Sequence, residues 1–262
     1  MDVVSSKLKL DFNELGYCIE ANAISHSKAE ELKALVLDMA LHEKKKGNSY
    51  VYPFDPTGNT QRVWNLTNKS SEFRKLLEAD LLYEMMEFIF DRPTSHQLFH
   101  LSSFQANVIH PGAPRQKLHM DTPFPEPVPL WPAKANSIWM LDDFTESNGA
   151  TEVVPRSHKL DHKPKPQDDT DSICEKIIGM KGSVIFTHGN LWHRAGANES
   201  ETIRVGLLCS FAASYIKEIG SEEDQSLVIN EKIKIESSER LKSILGIGHG
   251  LKDGAFVVHD CD

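Results

Sequence analysis

Two histidines and an aspartate define the chemistry open to this chain. His119 and Asp121 are separated by Met120, and His193 follows far downstream. Two imidazoles and one carboxylate on one face of an ion form the facial triad of non-haem Fe(II) sites, which leaves positions open for a co-substrate, dioxygen and water. The spacing suits a strand. Side chains i and i+2 point to the same face, so His119 and Asp121 can converge on one ion while Met120 points away. Arg204 lies eleven residues after His193 in an apolar run. A buried guanidinium needs an anion, and this one can hold the far carboxylate of an organic-acid co-substrate. A His-x-Asp pair alone is a weak signal in a chain with 12 His. The segments around it add to it: residues 182–196 read as strand, turn, strand, residues 202–208 as a strand carrying Arg204, and Asn148-Gly149-Ala150-Thr151 lies between the halves.

The ordered motifs Pro111-Gly112, Gln116-Lys117-Leu118-His119-Met120-Asp121, Leu141-Asp142-Asp143, Asn148-Gly149-Ala150-Thr151, Pro155-Arg156-Ser157-His158, His193 and Arg204 carry a likeness that covers roughly residues 10–215. In them the chain resembles the phytanoyl-CoA dioxygenase-like Fe(II)/2-oxoglutarate oxygenases, which include ectoine hydroxylase. Arg156 stands where that family usually has Gly, and Ala195 where it often has Ser. The resemblance implies that His119, Asp121 and His193 hold Fe(II) and that Arg204 pairs with the distal carboxylate of 2-oxoglutarate. An Arg fork suits that carboxylate better than Lys would. O2 is then consumed, succinate and CO2 are released, and a substrate C–H bond is oxidised. Related halogenases have a small residue at the position of Asp121, so the carboxylate here favours hydroxylation, desaturation or ring chemistry. Gln105 and Asn107 match a Gln-x-Asn that reaches the co-substrate in ectoine hydroxylase, and Gln116 is a further co-substrate candidate. Thr122, Phe124, Trp139 and Arg115 are candidates to border the substrate, and the Pro-rich stretch 123–132, stiffened by fixed φ, to form a pocket rim. Lys117 and Arg156 are weaker candidates to meet an anionic substrate. His188 and His158 read as turn or supporting residues. His100, His110, His249 and His259 have no partner at metal-ligand spacing.

The leading function is therefore an Fe(II)- and 2-oxoglutarate-dependent dioxygenase of a small molecule. The alternatives are a non-catalytic jelly-roll binding protein, which would not need all four groups, and the same chemistry on a protein substrate. A cupin isomerase or hydrolase would keep metal ligands without needing Arg204. The substrate and the oligomeric state stay open.

The remaining sequence fits this reading. The 262 residues, 40% hydrophobic and 26% charged, are ordinary for a globular enzyme and make one domain the default. A net charge of −9 argues against a general nucleic-acid binder. No segment is apolar for long enough to span a bilayer. The polar residues 1–10 lack a signal peptide's apolar core, and Cys18, Cys174, Cys209 and Cys261 have no CxxC spacing. The expected location is the cytoplasm.

The positioning elements read as follows. Residues 12–19 suggest a short strand. Residues 29–46 and 71–90 have helical periodicity, with a loop at 50–60 and a strand at 61–66. Beyond residue 98 come short alternating runs: 99–110, 117–121, 135–142, 151–154, 183–187 and 202–212. Many short strands with Gly/Pro-rich turns point to a sandwich or barrel. The resemblance narrows the fold to mainly β with flanking helices: a double-stranded β-helix (jelly roll, cupin-like) with N-terminal helices on one face. The expected organisation is a single domain over 1–262, with its β-helix core at about 98–215, a helical region over 1–97 and an extension over 216–262. The charged, Pro-rich stretch 159–174 reads as a flexible loop, 231–244 as a helix and 246–250 as a turn.

Overall fold

Ser5 opens the first helix and Gly16 closes it. In the computed structural model, which describes residues 3–53, 55–91, 99–216 and 227–247, the Ser5 hydroxyl accepts from Leu8 N and α1 runs Ser6–Leu15. Leu8 and Phe12 bury one face, and Gly16 takes left-handed backbone at φ 85°, which glycine adopts at little cost. The strand expected at 12–19 therefore starts only at Tyr17, and β1 is Tyr17–Glu20. The i,i+4 burial of Leu8 and Phe12 outweighs the short apolar run. Ser25 caps α2 (His26–Lys45), which buries Ala29, Leu32, Val36 and Ala40. Two short strands, β2 (Tyr50–Val51) and β3 (Thr60–Val63), and a single turn, α3 (Leu66–Lys69), follow.

The helix expected over 71–90 is two helices, α4 (Ser71–Leu77) and α5 (Asp80–Phe90). Phe73, Leu76 and Leu77 face the core in α4, whereas Leu82, Met85, Met86, Ile89 and Phe90 do so in α5. One straight helix could not bring both sets to one side. The extended Ala79 resets the phase. The helix expected at 231–244 is likewise divided, into α6 (Glu231–Glu236) and α7 (Glu239–Ile244), where Ser238 restarts the helix by accepting from Leu241 N. Of the turn expected at 246–250, residues 248–250 lie outside the described residues, as do His249, His259 and Cys261.

The strands are β4 (Phe99–Ile109), β5 (Lys134–Met140), β6 (Thr151–Val153), β7 (Glu175–Lys176), β8 (Val184–His188), β9 (His193–Ala195) and β10 (Arg204–Ala213). One antiparallel sheet has the order β1-β8-β5-β10-β4-β3-β2, and a smaller one the order β7-β6-β9. This is a jelly roll. The strand expected at 117–121 is an extended segment with a single β-bridge, His119 to His193. Its other backbone bonds go to loops, for instance Asp121 N to Gly189 O at 2.9 Å, so a regular ladder does not form.

Strand alternation divides the large sheet into two faces. Phe104, Ala106 and Val108 of β4, Val205, Leu207 and Cys209 of β10 and Trp139 of β5 join the helices in one core with Leu32, Val36, Phe73 and Met85. Each such large side chain contributes roughly 1.5–3 kcal/mol on burial. A smaller cluster of Met140, Phe144, Val153, Ile185 and Leu191 lies apart from this core. The opposite parity, Thr60 and Arg62, Gln105 and Asn107, Asn136 and Ile138, Arg204 and Leu208, lines a cavity. Trp139 is thus corrected from pocket candidate to core residue. It is fully buried, donates its indole N–H to Ser137 Oγ at 3.2 Å, and does not line the cavity.

Arg156 has φ 70°, in the left-handed region that disfavours a side chain. This explains why glycine suits the same turn in the resembling family. Its guanidinium bonds Glu14 at 2.9 Å. No helix among the described residues is long and apolar enough to cross a membrane. Trp139→Ala is expected to lower unfolding free energy by about 3–5 kcal/mol in a urea titration. A loss below about 1 kcal/mol would contradict the core assignment.

Candidate active site

His119 and His193 are brought together by their backbones. His119 N donates to His193 O at 3.0 Å, and His193 N donates to His119 O at 2.8 Å. This places the two rings 4.5 Å apart, centroid to centroid. Asp121 N and Thr122 N both donate to Gly189 O, fixing the turn that carries the carboxylate. One ligand atom from each of His119, Asp121 and His193 lies within 4.8 Å of the others. Asp121 Oδ2 is 3.5 Å from His193 Nε2, and Oδ1 is 3.9 Å from His119 Nε2.

Both imidazoles are oriented in the same way. His119 Nδ1 lies 2.8 Å from Lys117 O, and His193 Nδ1 lies 2.9 Å from Leu191 O. A carbonyl only accepts, so each Nδ1 carries the proton and each Nε2 keeps a lone pair. This is the tautomer and second contact that metal-binding histidines require. Burial, and then the neighbouring His193, push the His119 imidazole below its usual pKa, toward the neutral ligand form. Burial alone would raise the Asp121 carboxyl, but His193, His119 and the Asn136 amide together hold it below the usual carboxylate range. The donor set thus fits a divalent ion.

Arg204 is 4% exposed. It donates from Nη2 to Gly149 O and lies 4.4 Å over the Phe144 ring. Its Nε has no hydrogen-bond partner, and among the described residues it forms no ion pair. The nearby Asp142 carboxylate is used by Val205 N and Lys33. Burial lowers the guanidinium pKa to about 10, leaving it charged at neutral pH. A Cβ at Gly206, two residues along the same face, would meet Phe144 at 3.2 Å and Arg204 Nη1 at 3.4 Å, so glycine leaves room for the fork. An uncompensated buried cation of this kind is a place for an anion.

The triad and Arg204 line one cavity of about 990 Å³ together with Gln105, Asn107, Gln116, Thr122 and Arg115. Gln105 Nε2 donates to Asn107 Oδ1 at 3.3 Å, and Gln105 Oε1 is buried without a partner. Gln116 Oε1 accepts from Ala195 N at 3.0 Å. Arg115 is paired with Asp171. Phe124 does not line the cavity; it packs 6.0 Å from Trp131, which lies 5.6 Å from Tyr215. Of the Pro-rich stretch, Pro123 lines the cavity. His188 lies outside the ligand set: its Nδ1 accepts from Asn190 N at 3.0 Å, and burial with the adjacent His158 lowers its pKa to about 3.

Several further residues line the cavity without belonging to any sequence motif, among them Arg62, Asn136 and Ser210. Arg62, 8% exposed, lies opposite Asn107 and over the Tyr52 ring at 4.4 Å. Asn136 and Ser210 face each other across β5 and β10. No local sequence signal marks them: β3 reads Thr60-Gln61-Arg62-Val63, and Asn136 is followed directly by the core-facing Ser137.

The stretch 159–174 is not a free loop but is fastened to the residues beside His119 and His193. Arg194, next to His193, is 0% exposed. It donates from Nε to Glu152 at 2.6 Å, from Nη1 to Asp169, and from Nη2 to Asp171 at 2.6 Å. Asp169 also accepts from Leu118 N at 3.3 Å. One loop carboxylate therefore ties the residue beside His119 to the residue beside His193. Lys163 and Pro164 of the same loop reach the cavity.

The sequence model of the phytanoyl-CoA dioxygenase (PhyH) family matches residues 12–206. The chain is similar to dioxygenase af480 of Aspergillus fumigatus, 25% identical over 231 residues that cover 86% of this chain and 72% of that protein. It is similar to the multifunctional dioxygenase prhA of Penicillium brasilianum, 28% identical over 202 residues, 71% of this chain and 65% of that protein. Among solved structures it shares its fold with HygX from Streptomyces hygroscopicus, crystallised with nickel, 2-oxoglutarate and hygromycin B. That likeness has a TM-score of 0.65 at 14% identity and covers 82% of this chain and 90% of that one.

Arg194→Leu is expected to cost about 3 kcal/mol or more, because Glu152 and Asp169 would lose their buried partner. Asp171 adds little, being 78% exposed. A melting curve within a degree or two of wild type would show that the network does not hold the loop.

Proposed function

This chain belongs to the phytanoyl-CoA dioxygenase family, and from that premise we propose that it is an Fe(II)- and 2-oxoglutarate-dependent dioxygenase that hydroxylates or desaturates a small organic molecule, releasing succinate and CO2. The observation that carries the reading is the buried Arg204, without a carboxylate of its own, in the same cavity as the His119–Asp121–His193 set. A binding protein would have no use for this pair of features together. When bound, the iron and co-substrate supply the coupling of O2-driven decarboxylation to C–H oxidation.

The protein's part is to bind, orient and keep water out. His119, Asp121 and His193 would hold the metal through two neutral imidazoles and one carboxylate. Arg204 would take the distal carboxylate of 2-oxoglutarate as a charge-assisted fork. The unpartnered Nε and the space beside Gly206 support that role. Gln105, Asn107 and Gln116 stand ready to bond the rest of the co-substrate. Arg62 adds a second buried cation to the cavity lining. Thr122 and Arg115 border the volume left for the substrate. A cavity of about 990 Å³ has room for both molecules. Asp121 provides a carboxylate ligand, which favours hydroxylation or desaturation over halogenation. A cytoplasmic location accords with Cys18 and Cys209 being buried free thiols.

The test is succinate formation from 2-oxoglutarate by Fe(II)-loaded protein, with and without O2. Oxygen-dependent turnover should fall at least ~100-fold, about 2.7 kcal/mol, in both His119→Ala and Arg204→Ala. Turnover unaffected by Arg204→Ala would remove 2-oxoglutarate from the account. Absence of turnover, with no shift in melting temperature on adding Fe(II) and 2-oxoglutarate, would favour the binding protein.

A further inference from the structure

Asn136, Thr187 and Ser210 form a row across three neighbouring strands. In register, Asn136 of β5 lies opposite Ser210 of β10 on one side and Thr187 of β8 on the other. Asn136 and Thr187 are 2% and 1% exposed. The Asn136 amide donates from Nδ2 to Asp121 Oδ2 at 2.5 Å. On its other side, Ser210 Oγ donates to Asn136 Oδ1 at 2.6 Å. Thr187 Oγ1 is 3.4 Å from the same Nδ2. These bonds run from the sheet floor to the metal carboxylate.

We propose that Asn136, with its amide locked by Ser210, is a positioning residue that holds Asp121 as a one-oxygen metal ligand. The inference rests on the metal-site reading above. Asn amide oxygen and nitrogen are nearly the same shape, so the amide can present either to a neighbour. A carbonyl turned toward Asp121 would face a carboxylate and repel it. Asp121 only accepts and so directs the N–H toward itself, while the Ser210 hydroxyl donates to the outward Oδ1 and holds the side chain in that place. The amide then engages Oδ2, and among the described residues Oδ1 accepts no hydrogen bond. The amide bond thus fixes the rotation of the carboxylate and leaves Oδ1 without a protein donor. A carboxylate swung free could chelate through both oxygens and take a position that the co-substrate or dioxygen needs. The row also explains polar residues in strands that otherwise pack apolar side chains. Asn136 sits between Ala135, which is fully buried, and Ser137 on the core face, and its own side chain turns inward to the cavity.

The experiment is calorimetric titration of Ni(II), a redox-silent probe, into untagged apo protein, for wild type, Asn136→Ala and Ser210→Ala, with the apo melting temperature of each. Loss of an outer hydrogen bond to a metal ligand weakens metal binding by about 10- to 100-fold. That range is expected for Asn136→Ala, with a smaller, several-fold weakening for Ser210→Ala. A purely structural role would lower the apo melting temperature and leave Ni(II) affinity unchanged. If Asn136→Ala does not fold, Ser210→Ala decides, since it leaves the amide in place and removes only its lock. Unchanged affinity in the folded variants overturns the inference alone. No saturable Ni(II) binding by wild type overturns it together with the metal-site reading.

Discussion

The site depends on one pair of backbone hydrogen bonds, those exchanged by His119 and His193 across the mouth of the jelly roll. They join a segment with no other ladder of its own to strand β9. The side chains of residues facing each other in such a pair project to the same side, so the two imidazoles meet without further adjustment. Asp121, two residues on, brings its carboxylate to the same place, one oxygen lying within 4.8 Å of a nitrogen of each ring. Everything else near the metal set reinforces this pairing. The Lys117 and Leu191 carbonyls fix the ring tautomers, and Gly189 receives the Asp121 and Thr122 amides. Asp169 reaches Leu118 and Arg194 on either side of it.

A second constraint is electrostatic. The protein distributes its acids and bases unevenly around the cavity. Both Arg194 and Arg204 line the cavity, but Arg194 is surrounded by carboxylates, whereas Arg204 has a single carbonyl and an aromatic face. The contrast separates a cation compensated by carboxylates from one that, among the described residues, has none. Sheet register places Arg204 beside Ile109, and Arg62 beside Asn107 one step along the same face. Along β10 the cavity face continues from Arg204 through Gly206 and Leu208 to Ser210, which bonds Asn136, itself bonded to Asp121.

Much of this is legible in the amino-acid sequence. His119, Asp121, His193 and Arg204 stand out because their chemistry is uncommon at that spacing, and short strands with turns between them announce an all-β core. Two kinds of feature are not legible. Helix phase is one: the break at Ala79 follows from where the core lies, not from a Gly or Pro at the site. Strand parity is the other. A shift of one residue turns a side chain from cavity to core, and this decides against Trp139 and in favour of Asn136. Arg62 and Ser210 belong to strands far from the motif in sequence, and only lateral pairing with β4 and β5 makes them neighbours. The local charge of the stretch 159–174 suggests a free loop because its anchor, the buried Arg194, lies in another strand.

The most direct measurement is the affinity of 2-oxoglutarate, by calorimetry, for apo and Ni(II)-loaded protein, beside 2-oxobutyrate, which keeps the keto acid and lacks the distal carboxylate. Metal should tighten 2-oxoglutarate binding by at least ~10-fold, or about 1.4 kcal/mol, and 2-oxobutyrate should bind the loaded protein far more weakly, because nothing then pairs with Arg204. Equal binding of the two acids, or no dependence on metal, would contradict a site built from this triad and this arginine.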